Sequence, residues 1–263
     1  MKSRPLLFLI PYYVTVYRYG SFKIVFKKLT TELILMLPLL YWHFQFLYSD
    51  IILALVYLSL GYLLANIILV SVYEIQYVIN DIVVVKREDK PSIRSYPVRP
   101  LFVVISRGVY SLVAVCLMLV SRFDVIRVFV AIVLLSLAFL LHNIQKYKLK
   151  RIYTFALIRL TRYLFIPLCL IDSHHYLLYV PIVFMPLLFV DIIQAYEYNL
   201  KKYSIEVPKM DYPWYYIYGI FLPIQLMLID WKYIIGNIMI VLFSISRYIK
   251  RCLKRKLISK NAS

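Results

Sequence analysis

Glycine, cysteine and acidic residues are scarce in this chain, and each shortage narrows what the protein can be. Only five Gly occur in 263 residues, which argues against helices broken by glycine in mid-membrane, a feature of many transporters. Three cysteines are scattered along the chain and suggest neither a disulfide framework nor a zinc site. Asp and Glu number 13 against 31 Lys and Arg, so the net charge is +18. What this charge means depends on where the cations lie.

Long hydrophobic runs are what the sequence has in abundance. The chain is 63% hydrophobic, and apolar runs of about twenty residues, the length that crosses the hydrocarbon core of a bilayer, recur along it. They predict an all-α, polytopic transmembrane helical bundle with eight spans, at about 32–48, 51–79, 101–121, 125–142, 152–171, 174–195, 212–229 and 231–247. We expect two four-helix halves around a cavity that faces the cytoplasm.

The two ends of the chain are predicted to lie outside this bundle. Residues 1–30 are typical of a basic amphipathic segment at the cytoplasmic interface, residues 31–247 form the bundle, and residues 248–263 are a basic cytoplasmic tail. A ninth span would require residues 5–17 to cross. That stretch is short, contains Pro11 and is rich in Tyr, which favours an interfacial helix.

The basic residues are distributed unevenly between the predicted loops. Most of them lie in five segments, at 1–31, 80–107, 143–151, 196–211 and 246–263. The short loops on the other side carry Arg122, Arg127 and Lys232. By the positive-inside rule both termini are cytoplasmic, in agreement with an even number of spans. Topology and attraction to anionic membrane lipids account for the cations, and without a nucleic-acid-binding motif we expect no nucleic-acid partner.

Carboxylates gather where the second predicted span ends. Glu74, Asp81 and Glu88 are spaced seven residues apart, so a continuing helix would place them on one face. Tyr77 and Asn80 lie on or beside that face. Oxygen ligands of this kind suit Mg²⁺, which binds through one or two carboxylates together with substrate phosphates. The alternative is that Glu74 bonds a neighbouring helix and that the other two carboxylates are solvated loop charges.

A second acidic helix end lies four spans later, at Asp191 and Glu197. Two such ends that face one cavity could hold two metal ions, or one metal ion and a catalytic base. Arg159 and Arg162, three residues apart in the preceding apolar run, share a helix face. They would bind a phosphate group or form a structural ion pair with Glu74 or Asp191.

The order of these features resembles the UbiA superfamily of intramembrane prenyltransferases over about residues 15–230. The features that carry the resemblance are the basic amphipathic segment from Tyr19 to Lys28, the Asn80-Asp81 motif with Glu88, the motif from Tyr147 to Arg151, and Asp191 with Glu197. The family's middle Asp corresponds to Val84 here, and the second motif lacks the usual two Asp four apart. These departures favour a divergent donor or acceptor.

The resemblance implies a Mg²⁺-dependent transferase that acts on a polyprenyl lipid and a diphosphate-containing donor, with loss of pyrophosphate. The implied metal ligands are Asn80, Asp81, Glu88 and Asp191. The implied catalytic carboxylates are Asp81, Glu88, Asp191 and Glu197. The residues implied in substrate binding are Glu74, Tyr77, Lys90, Arg94, Tyr147, Lys150, Arg151, Arg159 and Lys201.

Two chemistries occur in that superfamily. In its bacterial phosphoribosyl branch, phosphoribosyl diphosphate is the donor and a polyprenyl phosphate is the acceptor. The basic segment from Lys90 to Arg94, and Glu197 followed by Lys201, resemble that branch, so we expect phosphoribosyl transfer in a bacterial or archaeal plasma membrane. The alternatives are transfer of an allylic prenyl group to an aromatic or other polar acceptor and, outside the enzymes, a membrane transporter. The sequence leaves the oligomeric state open.

Overall fold

The structure, a computed structural model, describes residues 5–84, 96, 98–145, 150–172, 174–202, 214–242 and 245–246. These residues are almost entirely helical and include no strand, which confirms the predicted all-α class. In chain order the helices are α1 (Tyr13–Tyr19), α2 (Phe22–Leu47), α3 (Ile51–Ile79), α4 (Pro100–Val120), α5 (Val125–Ile144), α6 (Lys150–Leu170), α7 (His174–Lys202) and α8 (Trp214–Leu228). The shorter elements are the 3₁₀-helices Pro5–Leu9 and Trp231–Tyr233, the π-helical turn Asn80–Val84, and a helical stretch at 235–242.

Among the described residues, five helical segments are long and apolar enough to cross a membrane: Ile51–Val84, Pro100–Val120, Val125–Ile144, Arg151–Leu170 and Leu177–Glu197. Their outer faces carry large apolar side chains, such as Leu112 and Phe129, which are 64% and 56% exposed. Lipid tails cover such faces favourably, whereas water does not. The chain is therefore a multi-pass membrane protein.

The remaining helices are less clear-cut as spans. Helix α2 has 26 residues and contains Glu32, His43 and Gln45, and it is not among these five segments. Helix α8 has only 15 residues. Helix length and composition therefore support five of the eight predicted spans. The arrangement in two halves stays a prediction. Residues 5–17 are divided between a 3₁₀-helix and α1, so they do not form the continuous span that a ninth crossing requires.

The polar residues between the predicted spans act as helix N-caps. The Asp50 carboxylate accepts hydrogen bonds of 2.7 and 3.2 Å from two backbone N–H groups at the start of α3. Asp124 caps α5 in the same way, and Asp230 caps Trp231–Tyr233. Such carboxylates satisfy amides that have no partner within the helix. This is why α3 and α5 begin where the sequence predicted that they would.

Four helices form a closed ring in which each contacts the next: α2, α3, α6 and α7. Helix α4 packs on α3, α5 packs on α6, and α8 packs on α7. Fully buried apolar side chains from all four ring helices meet in one core, among them Leu39, Ile68, Phe165 and Phe184. The ring is therefore held together by an apolar centre, and the buried charges lie towards one of its ends.

Side chains from the C-terminal part of the chain compensate a proline in α7. Pro186 has no N–H group and cannot donate to the Ile182 carbonyl one turn earlier. Gln225 Nε2, in α8, donates to that carbonyl at 2.6 Å. Asn237 Nδ2 donates to the neighbouring Val183 carbonyl at 3.1 Å. Both amides are fully buried, so α8 and stretch 235–242 are anchored to α7 by polar contacts.

The stretch 235–242 also approaches α2 very closely. A Cβ atom added at Gly236 would lie 2.2 Å from the backbone oxygen of Ile34. Only glycine allows two backbones to come so near. The end of the described chain is therefore packed into the bundle.

The N-terminal segment, residues 5–19, lies against the end of α3 and the start of α4. Its Phe8 and Val14 form a hydrophobic cluster with Val78 and Val103, separate from the main core. The two residues that flank α1, Tyr12 and Gly20, both have left-handed backbone angles, with φ of 74° and 69°. The segment therefore docks through a small core of its own.

Candidate functional site

The two ends of the bundle differ in the charges that they bury. At one end the helices are joined by short loops, and Arg127 links the start of α5 to the backbone at the end of α6. The other end, beside the N-terminal segment, buries four carboxylates, those of Glu32, Glu74, Asp81 and Asp191. Each is paired with an arginine, respectively Arg162, Arg107, Arg18 and Arg159. We call these four pairs the polar end, and they form the candidate site.

The pair Glu74–Arg107 is completely enclosed, since both side chains are 0% exposed. Arg107 Nε donates to Glu74 Oε2 at 2.6 Å. Its two Nη atoms donate to the backbone oxygens of residues 8, 9 and 10, at 2.7 to 2.9 Å. The other oxygen of Glu74 accepts bonds of 2.8 and 2.9 Å from the backbone and the hydroxyl of Thr15. These contacts are structural, and the predicted role of Glu74 in substrate binding stays a prediction.

Asp81, in the π-helical turn, is held on both carboxylate oxygens. Arg18 Nη1, from α1, donates to Oδ1, and the Tyr96 hydroxyl donates to Oδ2 at 2.6 Å. The Arg18 guanidinium also lies over the Tyr77 ring, 4.2 Å from its centroid. Burial raises the pKa of the Tyr96 hydroxyl, and the bond to Asp81 raises that pKa further, so Tyr96 remains a donor at neutral pH. Glu74 in α3 and Asp81 in the turn that follows it thus both face α1, on a common side as predicted for these two carboxylates.

The pair Glu32–Arg162 connects α2 to α6 across the ring. Arg162 Nη2 donates to Glu32 Oε2 at 2.9 Å, and both side chains are 11% exposed. The Arg162 guanidinium lies 4.9 Å from the centroid of the Tyr73 ring of α3. This partner differs from the two that the sequence suggested, because Glu32 lies in α2 and was assigned no role.

The pair Asp191–Arg159 connects α7 to α6. Arg159 Nε lies 3.4 Å from Asp191 Oδ2, and the buried Tyr163 hydroxyl, one turn further along α6, donates to the same oxygen. A structural ion pair between Arg159 and Asp191 was one of the two alternatives for this arginine. The geometry matches that alternative.

Aromatic rings link the Asp81 pair to the Glu32 pair. Arg18 lies on Tyr77, whose ring centroid is 5.1 Å from that of Tyr73, and Tyr73 in turn lies under Arg162. Arg159, three residues from Arg162 on the same face of α6, begins the Asp191 pair. A series of contacts thus runs from Asp81 to Arg162, and the Asp191 pair lies one turn of α6 away.

A narrow cleft opens beside these pairs, between the N-terminal segment, α2 and α3. Its lining consists of Tyr12, Thr15, Val25, Leu29, Leu69, Val70, Tyr73 and Arg162. Most of this lining is apolar, and among the described residues that form it only Arg162 is charged. The cleft thus gives an apolar approach to the paired arginine.

Several predicted site residues cannot be placed. Glu88, Lys90, Arg94 and Tyr147 lie outside the described residues, and the side chains of Lys150 and Lys201 are not described either. Asn80 is half-buried at the start of the π-helical turn, and Glu197 is half-buried near the end of α7. Arg151 Nε donates to the backbone oxygen of Gln145 at 3.0 Å, a contact that closes the α5–α6 loop.

The described side chains do not by themselves make a magnesium site. Within the described ranges, no three His, Cys, Asp or Glu side chains come together. Asp81 already bonds Arg18 and Tyr96, and the charge of Arg18 opposes the binding of a second cation there. The predicted Mg²⁺ site therefore depends on Glu88 and its neighbours, outside the described part of the chain.

Several residues of the polar end were not identified from the sequence, namely Arg18, Glu32, Tyr96, Arg107 and Tyr163. Arg107 was grouped with the loop cations as the last residue of the basic segment 80–107. A signal existed, since Arg107 lies seven residues into an apolar helix and Glu74 in another apolar helix needed a cation. Which carboxylate belongs to which arginine is decided by helix packing, which spacing alone does not reveal.

A comparison of the chain with protein-family models, with curated proteins and with solved structures finds no match in any of the three. Its function must therefore be argued from the polar end itself.

Proposed function

We propose that the protein is an intramembrane transferase that acts at the polar end on a polyprenyl lipid and a diphosphate-containing donor. The observation that carries the proposal is the gathering of four buried carboxylate–arginine pairs at one end of the bundle. Charges at such depth are costly, and they are kept where they bind or hold something.

The arginines of α6 are suited to phosphate. Guanidinium groups bind phosphate and carboxylate through the same pair of parallel N–H groups. A phosphate can therefore replace Glu32 on Arg162, or Asp191 on Arg159, at little cost in charge. The cleft that reaches Arg162 is apolar, as an isoprenoid chain is, and it would have to widen to admit such a chain. Once released from its arginine, each carboxylate is free to accept a proton or to face a cation.

The donor that we favour is phosphoribosyl diphosphate, with a polyprenyl phosphate as acceptor. The support is the resemblance of Lys90 to Arg94, and of Glu197 with Lys201, to the phosphoribosyl branch of the UbiA superfamily. Bound Mg²⁺ would neutralise the departing pyrophosphate. Asp81, Asp191, Glu88 and Asn80 are its proposed ligands. Transfer of an allylic prenyl group to a polar acceptor would use the same side chains.

The arrangement in the membrane is part of the proposal. We infer eight spans, with α2, α8 and stretch 235–242 crossing beside the five apolar segments, and with both termini in the cytoplasm. The close approach of Gly236 to the α2 backbone and the bonds from Gln225 and Asn237 to α7 support the inclusion of the last two elements. A bacterial or archaeal plasma membrane remains the proposed location.

A transporter is the second candidate, and one observation favours it. Prolines interrupt the hydrogen bonding inside α2, α6, α7 and α8, and transporter helices are often broken in this way near a substrate site. Helix α7, however, runs without a break from His174 to Lys202 although it contains two prolines. Continuous helices with charges gathered at one end fit a catalytic site better.

The test is transfer of label from radiolabelled phosphoribosyl diphosphate into the organic phase by purified protein with Mg²⁺ and polyprenyl phosphates of several lengths. We expect Asp81→Asn and Asp191→Asn to reduce transfer at least about a hundredfold, as loss of a charge-stabilising group does. Asp50→Asn is the matched control, because it replaces an N-cap at the opposite end by another good N-cap. It should transfer label like the unmodified protein.

Two results would contradict the proposal. Transfer by Asp81→Asn and Asp191→Asn at the unmodified rate would remove both carboxylates from the reaction. If neither phosphoribosyl diphosphate nor polyprenyl diphosphates support transfer by folded protein, and if neither raises its melting temperature with Mg²⁺, the transporter becomes the better reading.

A further inference from the structure

We propose that helix α1 is a latch that closes over Asp81 and must swing aside before this carboxylate can serve any other partner. The proposal rests on the proposed function only in the reason for releasing Asp81. The latch itself follows from how α1 is held, and from the joints at its two ends.

The two polar contacts of α1 cover the acidic face of α3. Thr15 and Arg18, three residues apart on one face of α1, bind Glu74 in α3 and Asp81 in the turn that follows it. As long as Arg18 bonds Oδ1 and Tyr96 bonds Oδ2, both oxygens of Asp81 are engaged. Because a second cation would be repelled by Arg18, access to Asp81 requires that Arg18 leave.

The joints of α1 are the left-handed residues Tyr12 and Gly20. A Cβ atom built at Gly20 meets no atom within 4 Å, so nothing packs against that joint. Tyr12 carries a side chain in a backbone conformation that L-residues seldom adopt, which stores strain at the other joint. A swing of α1 about the backbone of these two residues would leave the flanking elements in place.

The neighbouring 3₁₀-helix, Pro5–Leu9, is held in a different way. Arg107 bonds the oxygens of residues 8, 9 and 10, and its side chain is wholly buried. Arg18, in contrast, is 18% exposed. The contact that water can reach opens more easily than the enclosed one. We therefore infer that α1 opens while Pro5–Leu9 stays docked.

The test is the reactivity of single cysteines in a chain whose native cysteines are replaced by alanine. Val78→Cys lies at 1% exposure in the cluster that Val14 of α1 helps to cover, and Val103→Cys lies at 0% exposure in the same cluster, one turn from Arg107. Each is labelled with N-ethylmaleimide, alone and combined with Arg18→Gln. We expect Arg18→Gln to accelerate labelling at position 78 about tenfold or more, because a charged hydrogen bond is lost, and to leave position 103 slow.

Two outcomes overturn the latch. Equal labelling of position 78 with and without Arg18→Gln means that Arg18 does not hold α1. Equal acceleration at both positions means that the whole segment detaches, so α1 is not a separate latch. Labelling requires neither substrate nor turnover, so a protein without transferase activity can still show the latch, and an active one can still lack it.

A second measurement needs no substitution and remains valid if the Arg18→Gln variant does not fold. In hydrogen exchange on the unmodified protein, the amides of α1 should exchange at least about tenfold faster than those of the first turns of α4, since a locally opening unit exchanges ahead of its surroundings. Exchange of α1 as slow as that of α4 would overturn the proposal.

Discussion

At the scale of single residues, Arg107 shows why a buried cation in this bundle has to be arginine. The guanidinium has five N–H donors in a rigid fork, and here they reach Glu74, the Ser106 hydroxyl and three successive backbone oxygens. The ammonium group of lysine has three donors at a single point. It could neutralise Glu74 but could not also hold the 3₁₀-helix.

We therefore expect Arg107→Met to lower the free energy of unfolding by about 3–5 kcal/mol, because it leaves a buried carboxylate alone. Arg107→Lys should lower it by about 1–3 kcal/mol, because the ammonium group can pair with Glu74 but leaves the backbone oxygens of residues 8 to 10 without their donor. Arg99→Met is the matched control, since Arg99 is exposed at the start of the same helix, and it should change stability little. Thermal unfolding in detergent measures all three variants. An Arg107→Lys protein that melts like the unmodified one would contradict this account.

At the scale of elements, α7 is the helix whose sequence and structure conflict most, because Pro186 deprives Ile182 of its backbone donor. The Gln225 side chain of α8, nearly forty residues later in the chain, donates to the Ile182 carbonyl instead. This bond connects α8 to α7 at the proline. An unsatisfied carbonyl in an apolar interior is costly. The proline and the glutamine should therefore be energetically coupled.

A double-mutant cycle tests this coupling. Gln225→Leu should lower the free energy of unfolding by about 1–3 kcal/mol when Pro186 is present, because it orphans the Ile182 carbonyl. In a Pro186→Ala background the new N–H group can donate to that carbonyl, so the same substitution should cost about 1 kcal/mol less. Identical costs in the two backgrounds would show that the amide and the proline act independently.

The helix boundaries also show which parts of the fold could be predicted from the sequence. Helices α3 and α5 begin at the predicted residues because an apolar run meets an aspartate N-cap, and both signals are local. Helix α2 starts at Phe22, ten residues before its predicted span, because the amphipathic segment continues into it without a break.

Less of the candidate site could be predicted from the sequence. The spacing of Glu74 and Asp81 correctly indicated a shared face, but their partners Arg107 and Arg18 come from distant helices and depend on packing.

At the scale of the whole molecule, the orientation is a prediction from the basic segments, and α2 is the helix at which it can be tested. The start of α2 carries exposed Lys23, and the loop after its end carries exposed Ser49. If α2 crosses the membrane and the N-terminus is cytoplasmic, these two residues lie on opposite sides.

An impermeant maleimide applied to intact cells should therefore label Ser49→Cys but not Lys23→Cys, which should react only after the membrane is opened. The reverse pattern would invert the predicted orientation. If both residues are labelled from one side, α2 does not cross the membrane and the eight-span proposal is wrong.

The pairing of every carboxylate at the polar end with an arginine has a consequence for a protein in an energised membrane. A membrane potential acts on net charge, at about 2.3 kcal/mol per elementary charge for each 100 mV crossed. Each of the four pairs is neutral as a unit, so the electric field exerts almost no net force on any of them. The polar end should keep the same geometry whether the membrane is polarised or not, unlike a voltage sensor, in which unpaired arginines move through the field.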